Sequence, residues 1–369
     1  GEPSIIGSEI ILLSKSIYPL PDEWYGLKNI ETRYRNRHID MIVNSELVNT
    51  IKTRSQIVSH IRNYLDSNAF LEVDTPLLQP LYGGANARPF TAYSNAIKDD
   101  LFLSISPELY LKRYIVGGFE RVYTICKNFR NEDIDRTHNP EFTMLECYSA
   151  YWDYNDMMKF TENLYKSIAN NLFGKEEVEY QGKNIDLKSP WKKTTMPESI
   201  KEITGIDISS LNDTEIKQIL KDNRIELEKY NRGLATAEIF EHFCEKQLIQ
   251  PTFVIDYPKE TTPLCKPHRT DPKLIERFEL YINGFEMANA YSELNDPALQ
   301  KQLFEEQADN GRSKGENHPV DYSFVDVVSQ GMPPSAGLGI GIDRLVMLFT
   351  NQPTISDVIT FPQLKKVEK

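Results

Sequence analysis

The chain has 369 residues, 40% hydrophobic, 26% charged and 11% aromatic, with a formal net charge of -12. That composition suits a globular enzyme with one large core and an appendage, and its acidity rules out nucleic-acid binding by bulk electrostatics. No run of roughly 18 apolar residues marks a membrane helix, and Cys126, Cys147, Cys244 and Cys265 lie far apart without a CxxC pair, as reduced thiols would.

Ile5 to Leu13 reads as a short β-like piece, too short for a domain, followed by a proline-bearing linker from Pro19. Three arginines, Arg33, Arg35 and Arg37, precede a helical stretch from Ser45 to Asn68. There Leu47, Ile51, Val58, Ile61 and Leu65 fall at helical spacing and Ser45 can cap. Phe70 to Pro76 reads as a strand stopped by proline. The loop Leu81 to Phe90 carries Gly83 and Gly84, which form either a plain turn or a place where a ligand nears the backbone. Leu101 to Ser106 reads as a strand. Pro107 then opens a helix with Glu108 in its first turn, where an acid offsets the helix dipole.

Arg121 to Tyr151 predicts two strands joined by a polar loop. In the second, Phe142, Met144, Glu146 and Tyr148 share one face. An aromatic plate, a carboxylate and a phenol make a poor core but a good wall for a ligand with a flat ring and a positive charge. Helices follow from Asp156 to Phe173, and a mixed stretch reaches Gln250 with a helical piece from Asp213 to Tyr230. Phe253 to Asp256 resumes the β pattern.

Asn283-Gly284 between two β runs signals a two-residue hairpin, with Tyr281 facing Glu286. Glu279 then shares a face with Glu286. The two are either solvated surface acids or oxygen ligands for a Mg²⁺ ion shared with phosphates. Strict alternation puts Asn289, Tyr291 and Glu293 on the opposite face, so one site needs a bulge near Met287-Ala288. Gly337, Gly339 and Gly341 leave one face of a strand bare, and Asp343-Arg344 opens an apolar helix. Neither a GxGxxG nor a GxxxxGK[ST] phosphate loop occurs.

In this order, FLEVDTP after its helix, FRNEDIDRTHNPEFTMLE and GLGIGIDRL resemble motifs 1, 2 and 3 of a class II aminoacyl-tRNA synthetase. With GGANARPF, SPELYLKR and NAYSELNDP between them, the chain closely resembles a lysyl-tRNA synthetase from about Trp24 to Pro362. The resemblance implies an α+β fold, an antiparallel sheet flanked by helices, and a cytoplasmic homodimer formed through the motif 1 region. It implies ATP and Mg²⁺, L-lysine and tRNA(Lys) as partners, and no membrane.

On these motifs Arg130 bridges the amino-acid carboxylate and the α-phosphate, and Arg344 covers the adenine and reaches the γ-phosphate. Phe142 stacks on adenine, while Glu132, His138 and Asn139 hold base and phosphates. Glu279 and Glu286 hold the metal, Glu279 also serving ATP. Glu108 takes the α-ammonium. Glu146, Tyr148, Asn289, Tyr291 and Glu293 line the side-chain pocket, and Gly83, Gly84 and Gly337 let the substrate approach. An aspartate-specific relative needs a base in that pocket, and the matched positions offer none. Ser335 stands where many relatives carry Thr. The resemblance further implies that residues 1–20 are the remnant of an anticodon-binding barrel and its linker, leaving tRNA charging weak. Residues 21–369 then form the catalytic domain, with a helical insertion at about 192–250.

Overall fold

The computed structural model describes residues 3–20, 27, 29–188, 190–313 and 319–366. Of the proline-bearing linker read from Pro19, residues 21–26 lie outside them. Ile5 to Leu13 forms no strand. Ile5, Ile6 and Ile10 are almost fully exposed, and no described strand pairs with their backbone.

The first long helix, α1 (Ser45–Ser67), is capped by Asn44 and not by Ser45. Asn44 has the extended backbone a cap requires, and its side chain accepts from the Glu46 N–H at 3.1 Å. Its buried stripe is Leu47, Thr50, Ile57, Ile61 and Leu65, so Ile51 and Val58 sit at the edge of the apolar face.

Eight strands make the main sheet: β1 (Leu71–Glu72), β2 (Arg121–Phe129), β3 (Glu141–Ala150), β4 (Lys192–Thr195), β5 (Thr252–Pro258), β6 (Leu274–Ile282), β7 (Phe285–Ser292) and β8 (Ser335–Gly341). Their spatial order is β1-β2-β3-β8-β7-β6-β5-β4. The six central strands are antiparallel, and β1 and β4 add in parallel at the two edges. The last strand in sequence thus enters between the two hairpins. Gly337 pairs with Tyr148 on one side and Tyr291 on the other, and Gly339 with Glu146 and Asn289.

One face of the sheet is apolar. Leu145, Cys147, Ala288, Ala290, Leu338 and Ile340 pack there in one core with residues of α1 and of a later helix, Tyr154–Ile168. That helix starts at Asp153, which forms a capping box with Asp156, and its last turn widens to a π-helix at Ala169–Phe173.

The other face carries the polar residues. Helix α2 (Glu108–Val116) covers it near β3, burying Leu111 and Ile115 against Val122, Tyr148 and Ala150. Three helices cover the far end: α3 (Met196–Thr204), α4 (Asp213–Asp222) and α5 (Arg232–Phe243). They share a core with Val254, Tyr257, Ile275 and Tyr281. At the start of the stretch expected as a helical insertion, Lys192–Thr195 is an edge strand of the sheet, and the first helix begins at Met196. The helix expected over Asp213 to Tyr230 stops at Asp222, since Asn223 leaves helical geometry and Arg224 takes a positive φ of 54°. α5, capped by the Asn231 side chain, lacked a clear signal because its apolar residues are interrupted by alanines and threonine.

Candidate active site

The bare face of β8 is the floor of a cavity of about 390 Å³. Its walls are the polar faces of β3 and β7, brought to either side of the glycines by the strand order. At one end stand Arg130, His138, Phe142, Glu286 and Arg344. At the other stand Gly84, Glu108, Glu146, Tyr148, Tyr291 and Gly337, and Glu132, Asn139, Glu279 and Asn289 also border the space.

The bulge that one shared site requires is present. Tyr281 pairs with Glu286 but Leu280 pairs with Ala288, so Met287 is the extra residue. Beyond it Asn289 and Tyr291 return to the face that carries Glu279 and Glu286.

At the first end, the Arg130 guanidinium lies 5.1 Å above the Phe142 ring, a cation–π contact. Burial lowers its pKa, opposed by Glu286, Glu132 and Glu146, and its buried Nε has no partner. Arg344 donates from Nη1 to the Glu286 carbonyl at 2.7 Å and meets His138 Nε2 through Nη2 at 3.0 Å. His138 Nδ1 lies 2.8 Å from Asp135, which assigns the ring proton to Nδ1 and leaves Nε2 to accept from Arg344. Asp343 borders the cavity, but its side chain is almost fully buried. Its carboxylate accepts from the Thr143 N–H at 2.7 Å and pairs with Arg54 of α1 at 2.7 Å, tying β3 to the helix layer. Asn139 is buried, with its amide spent on the Glu141 carbonyl and Gln363.

Glu279 is more occupied than the sequence suggested. Arg277 binds one carboxylate oxygen, and Tyr257 and Tyr281 donate to the other at 2.8 and 2.5 Å. Burial raises its pKa, Arg277 opposes that, and repulsion from Glu286 adds to it. Glu286 is half-exposed and meets Arg344 only at 3.5 Å. Among the described residues no group of three or more His, Cys, Asp or Glu gathers as a metal cluster. Two repelling carboxylates at the edge of an open cavity still suit a hard cation that takes its other ligands from water and phosphate.

At the second end, Glu146 is buried and accepts from Ser106 Oγ at 2.9 Å and Tyr148 OH at 3.2 Å. Burial and the Glu108 charge push its pKa up to about 8. Tyr291 OH donates to Glu108 at 2.5 Å. Gly84 has a φ of 83° and lies against Ser106 and Glu108, so only glycine fits that turn without strain.

Glu293 lies against the cavity-side face of Gly337, with one oxygen on Lys112 and the other, Oε1, beside the Tyr148 ring and without a hydrogen-bond partner. Burial raises its pKa well above the usual carboxylate range, against the pull of Lys112. Sequence reasoning gave no role to Ser106, Lys112 or Arg277. Lys112 could have been noticed from its i,i+4 spacing to Glu108, and Arg277 from its place two residues before Glu279 on the same strand face.

The chain matches the family model of class II tRNA synthetases (D, K and N) over residues 29–365. It is 51% identical to lysine–tRNA ligase 2 of Methanosarcina mazei across 99% of this chain and 72% of that protein. It is 49% identical to the lysine–tRNA ligase of Methanoculleus marisnigri, covering 99% and 72%, and 49% identical to that of Roseiflexus sp., covering 99% and 75%.

Proposed function

This chain belongs to the class II tRNA synthetases, and from that membership and the cavity we propose that it is a lysine–tRNA ligase. It activates L-lysine with ATP to lysyl-adenylate and pyrophosphate, then transfers lysine to tRNA(Lys). The observation that carries the reading is one cavity joining an arginine–aromatic end to an end with two carboxylates and two phenols. ATP suits the first and a diamino acid the second.

Activation is an in-line attack of the lysine carboxylate on the α-phosphorus, which needs positioning and charge neutralisation and no protein nucleophile. Arg130, at the junction, meets the substrate carboxylate and the α-phosphate with its planar fork of donors. Phe142 and Arg344 hold the adenine between them, and Arg344, Glu132, His138 and Asn139 serve the base and phosphates. Mg²⁺, held by Glu279 and Glu286 with phosphate oxygens, would neutralise charge on the polyphosphate. Glu108 takes the α-ammonium. Glu146 and Tyr148 take the side-chain ammonium with the free Oε1 of Glu293, and Asn289, Tyr291, Gly84 and Gly337 shape the space between. A neutral side chain would leave buried carboxylates unpaired, which supports selection of an amine.

A homodimer through the region around α1 fits the exposed Leu71, Leu77 and Leu78 beyond its end. No described helix is long and apolar enough to cross a membrane. The deciding experiment is ATP–pyrophosphate exchange over a panel of amino acids, followed by transfer of labelled lysine to purified tRNA. Exchange with lysine is expected. Exchange with aspartate or asparagine and none with lysine would overturn the reading.

A further inference from the structure

Lys112 is fully buried in α2, one turn after Glu108, and its ammonium has two carboxylate partners. Nζ lies 2.6 Å from Glu108 Oε1 and also contacts Glu293 Oε2. The same ammonium sits 5.5 Å from the centre of the Tyr291 ring and 5.9 Å from that of Phe324. It is fully buried behind those carboxylates and is not among the residues lining the cavity. Glu108, by contrast, lines the cavity, and Glu293 presents its free Oε1 next to Tyr148 on the cavity-side face of Gly337.

We propose that Lys112 is a positioning residue for the lysine end of the site, a fixed internal cation that orients Glu108 and Glu293 and sets the number of positive charges the pocket still takes. The proposal rests on the reading of the cavity as an amino-acid site. Glu108, Glu146 and Glu293 are three buried carboxylates, and Lys112 neutralises one charge among them. The remainder matches a substrate with two ammonium groups whose own carboxylate faces Arg130. A monoamine leaves one carboxylate unbalanced, which is costly in a buried site.

The surroundings bear this out group by group. From its own helix Lys112 faces Glu108. From β7 and the residue after its end it faces Tyr291 and Glu293, and Cys265 lies near enough to feel its charge. Glu146 and Tyr148 of β3 complete the acidic group around Glu108 and Glu293. Phe324 closes the remaining side without a charge. Burial presses the Lys112 pKa down, yet Glu108 and Glu293 more than reverse this, so it stays charged through the neutral range. It also acts against the rise in the Glu293 pKa. Removing it leaves two close carboxylates to share a proton, and a protonated acid cannot hold an ammonium.

The test is Lys112→Met in lysine-dependent ATP–pyrophosphate exchange, with KM for lysine and for ATP measured from pH 6.5 to 9. The expected result is a lysine KM raised about tenfold or more at pH 7 with the ATP KM held within about twofold. The pH at which lysine KM falls should also move up by about one unit. A purely structural role would lower the active fraction without moving that midpoint. A parent-like lysine KM and midpoint, or equal rises in both KM values, overturn the proposal. If Lys112→Met does not fold, Lys112→Met combined with Glu293→Gln decides, because it leaves no unpaired charge at Glu293. Its lysine KM should fall about threefold or more below that of Glu293→Gln alone, because Glu108 and Glu146 again offer two uncompensated charges, and a KM equal to or above it would overturn the proposal. Parent protein that gives no exchange with lysine refutes the substrate reading instead, so the two failures are distinguishable.

Discussion

Gly337→Ala isolates the role of the bare strand. A Cβ built on Gly337 would overlap Glu293 Oε1 and the Tyr148 ring, whereas one on Gly339 meets nothing closer than 3.8 Å. Neither position has a positive φ, so the two differ in space and not in backbone strain. Tyr148 and Glu293 are buried, and Glu293 is anchored by Lys112, so neither can swing away freely. Overpacking of this kind costs about 1–3 kcal/mol, while Ala at an unstrained glycine gains about 0.4–1 kcal/mol through the unfolded chain. The unfolded-chain gain is common to both, so denaturant unfolding should separate the two variants by about 1–3 kcal/mol in favour of Gly339→Ala. In exchange assays Gly337→Ala should raise lysine KM about tenfold or more, since Tyr148 and Glu293 are displaced together, and leave ATP KM near the parent value. Equal stabilities, or a lysine KM unchanged in Gly337→Ala, would refute the packing argument.

Arg130→Ala should cut kcat for exchange by about 10²–10³, the scale for losing one charge-stabilising donor, and Arg130→Lys should recover little because the planar fork is lost; full rescue by lysine in a rate assay sinks the bridging role. Glu146 sets a pH dependence. Its folded pKa is pushed up to about 8, so between the unfolded carboxylate value and 8 the folded state holds the extra proton. Stability from this group is then present at low pH and lost as pH rises through that window. Glu146→Gln should be more stable than the parent by about 2–4 kcal/mol at pH 9 and equal to it at pH 4, by urea unfolding. Because lysine binds the ionised form, the parent's lysine KM should fall from pH 6.5 to 9; a flat profile contradicts the assignment. Arg54→Ala leaves Asp343 buried without its ion pair and should cost about 3 kcal/mol, measured by unfolding, with ATP KM rising more than lysine KM.

The sheet hairpins were legible because their chemistry is local. Asn283-Gly284 set the turn, and the alternation of Phe142, Met144, Glu146 and Tyr148 set the face. The motif order then carried the fold class. What the sequence could not carry was any feature decided by a distant neighbour. Ser45 looked like a cap until Asn44 took the extended backbone. Lys192–Thr195 looked like the start of an insertion until β5 paired with it. Glu279 looked like a free ligand, but its own strand supplies Arg277 and Tyr281, and β5 supplies Tyr257. Glu293 was assigned by motif to the pocket wall. Its carboxylate also pairs with Lys112, a partner supplied by a helix nearly two hundred residues earlier in the chain.

These misplacements share a physical cause. A binding site rich in charge cannot wait empty, since an unpaired buried charge costs several kcal/mol. Most charges around the cavity therefore have a protein partner before substrate arrives: Glu279 has Arg277, Arg344 has Glu286 and His138, Glu108 has Tyr291, and Glu293 has Lys112. Among the buried side-chain atoms left without a hydrogen-bond partner are Arg130 Nε and Glu293 Oε1. They sit where the proposed reaction needs a new partner, at the carboxylate and at the ammonium of the amino acid. Sequence motifs name the residues that touch substrate, but the partners that keep those residues charged and aimed come from other elements. In this chain Lys112 and Arg277 are such partners, and pre-organisation of the site depends on them as much as on the motif residues.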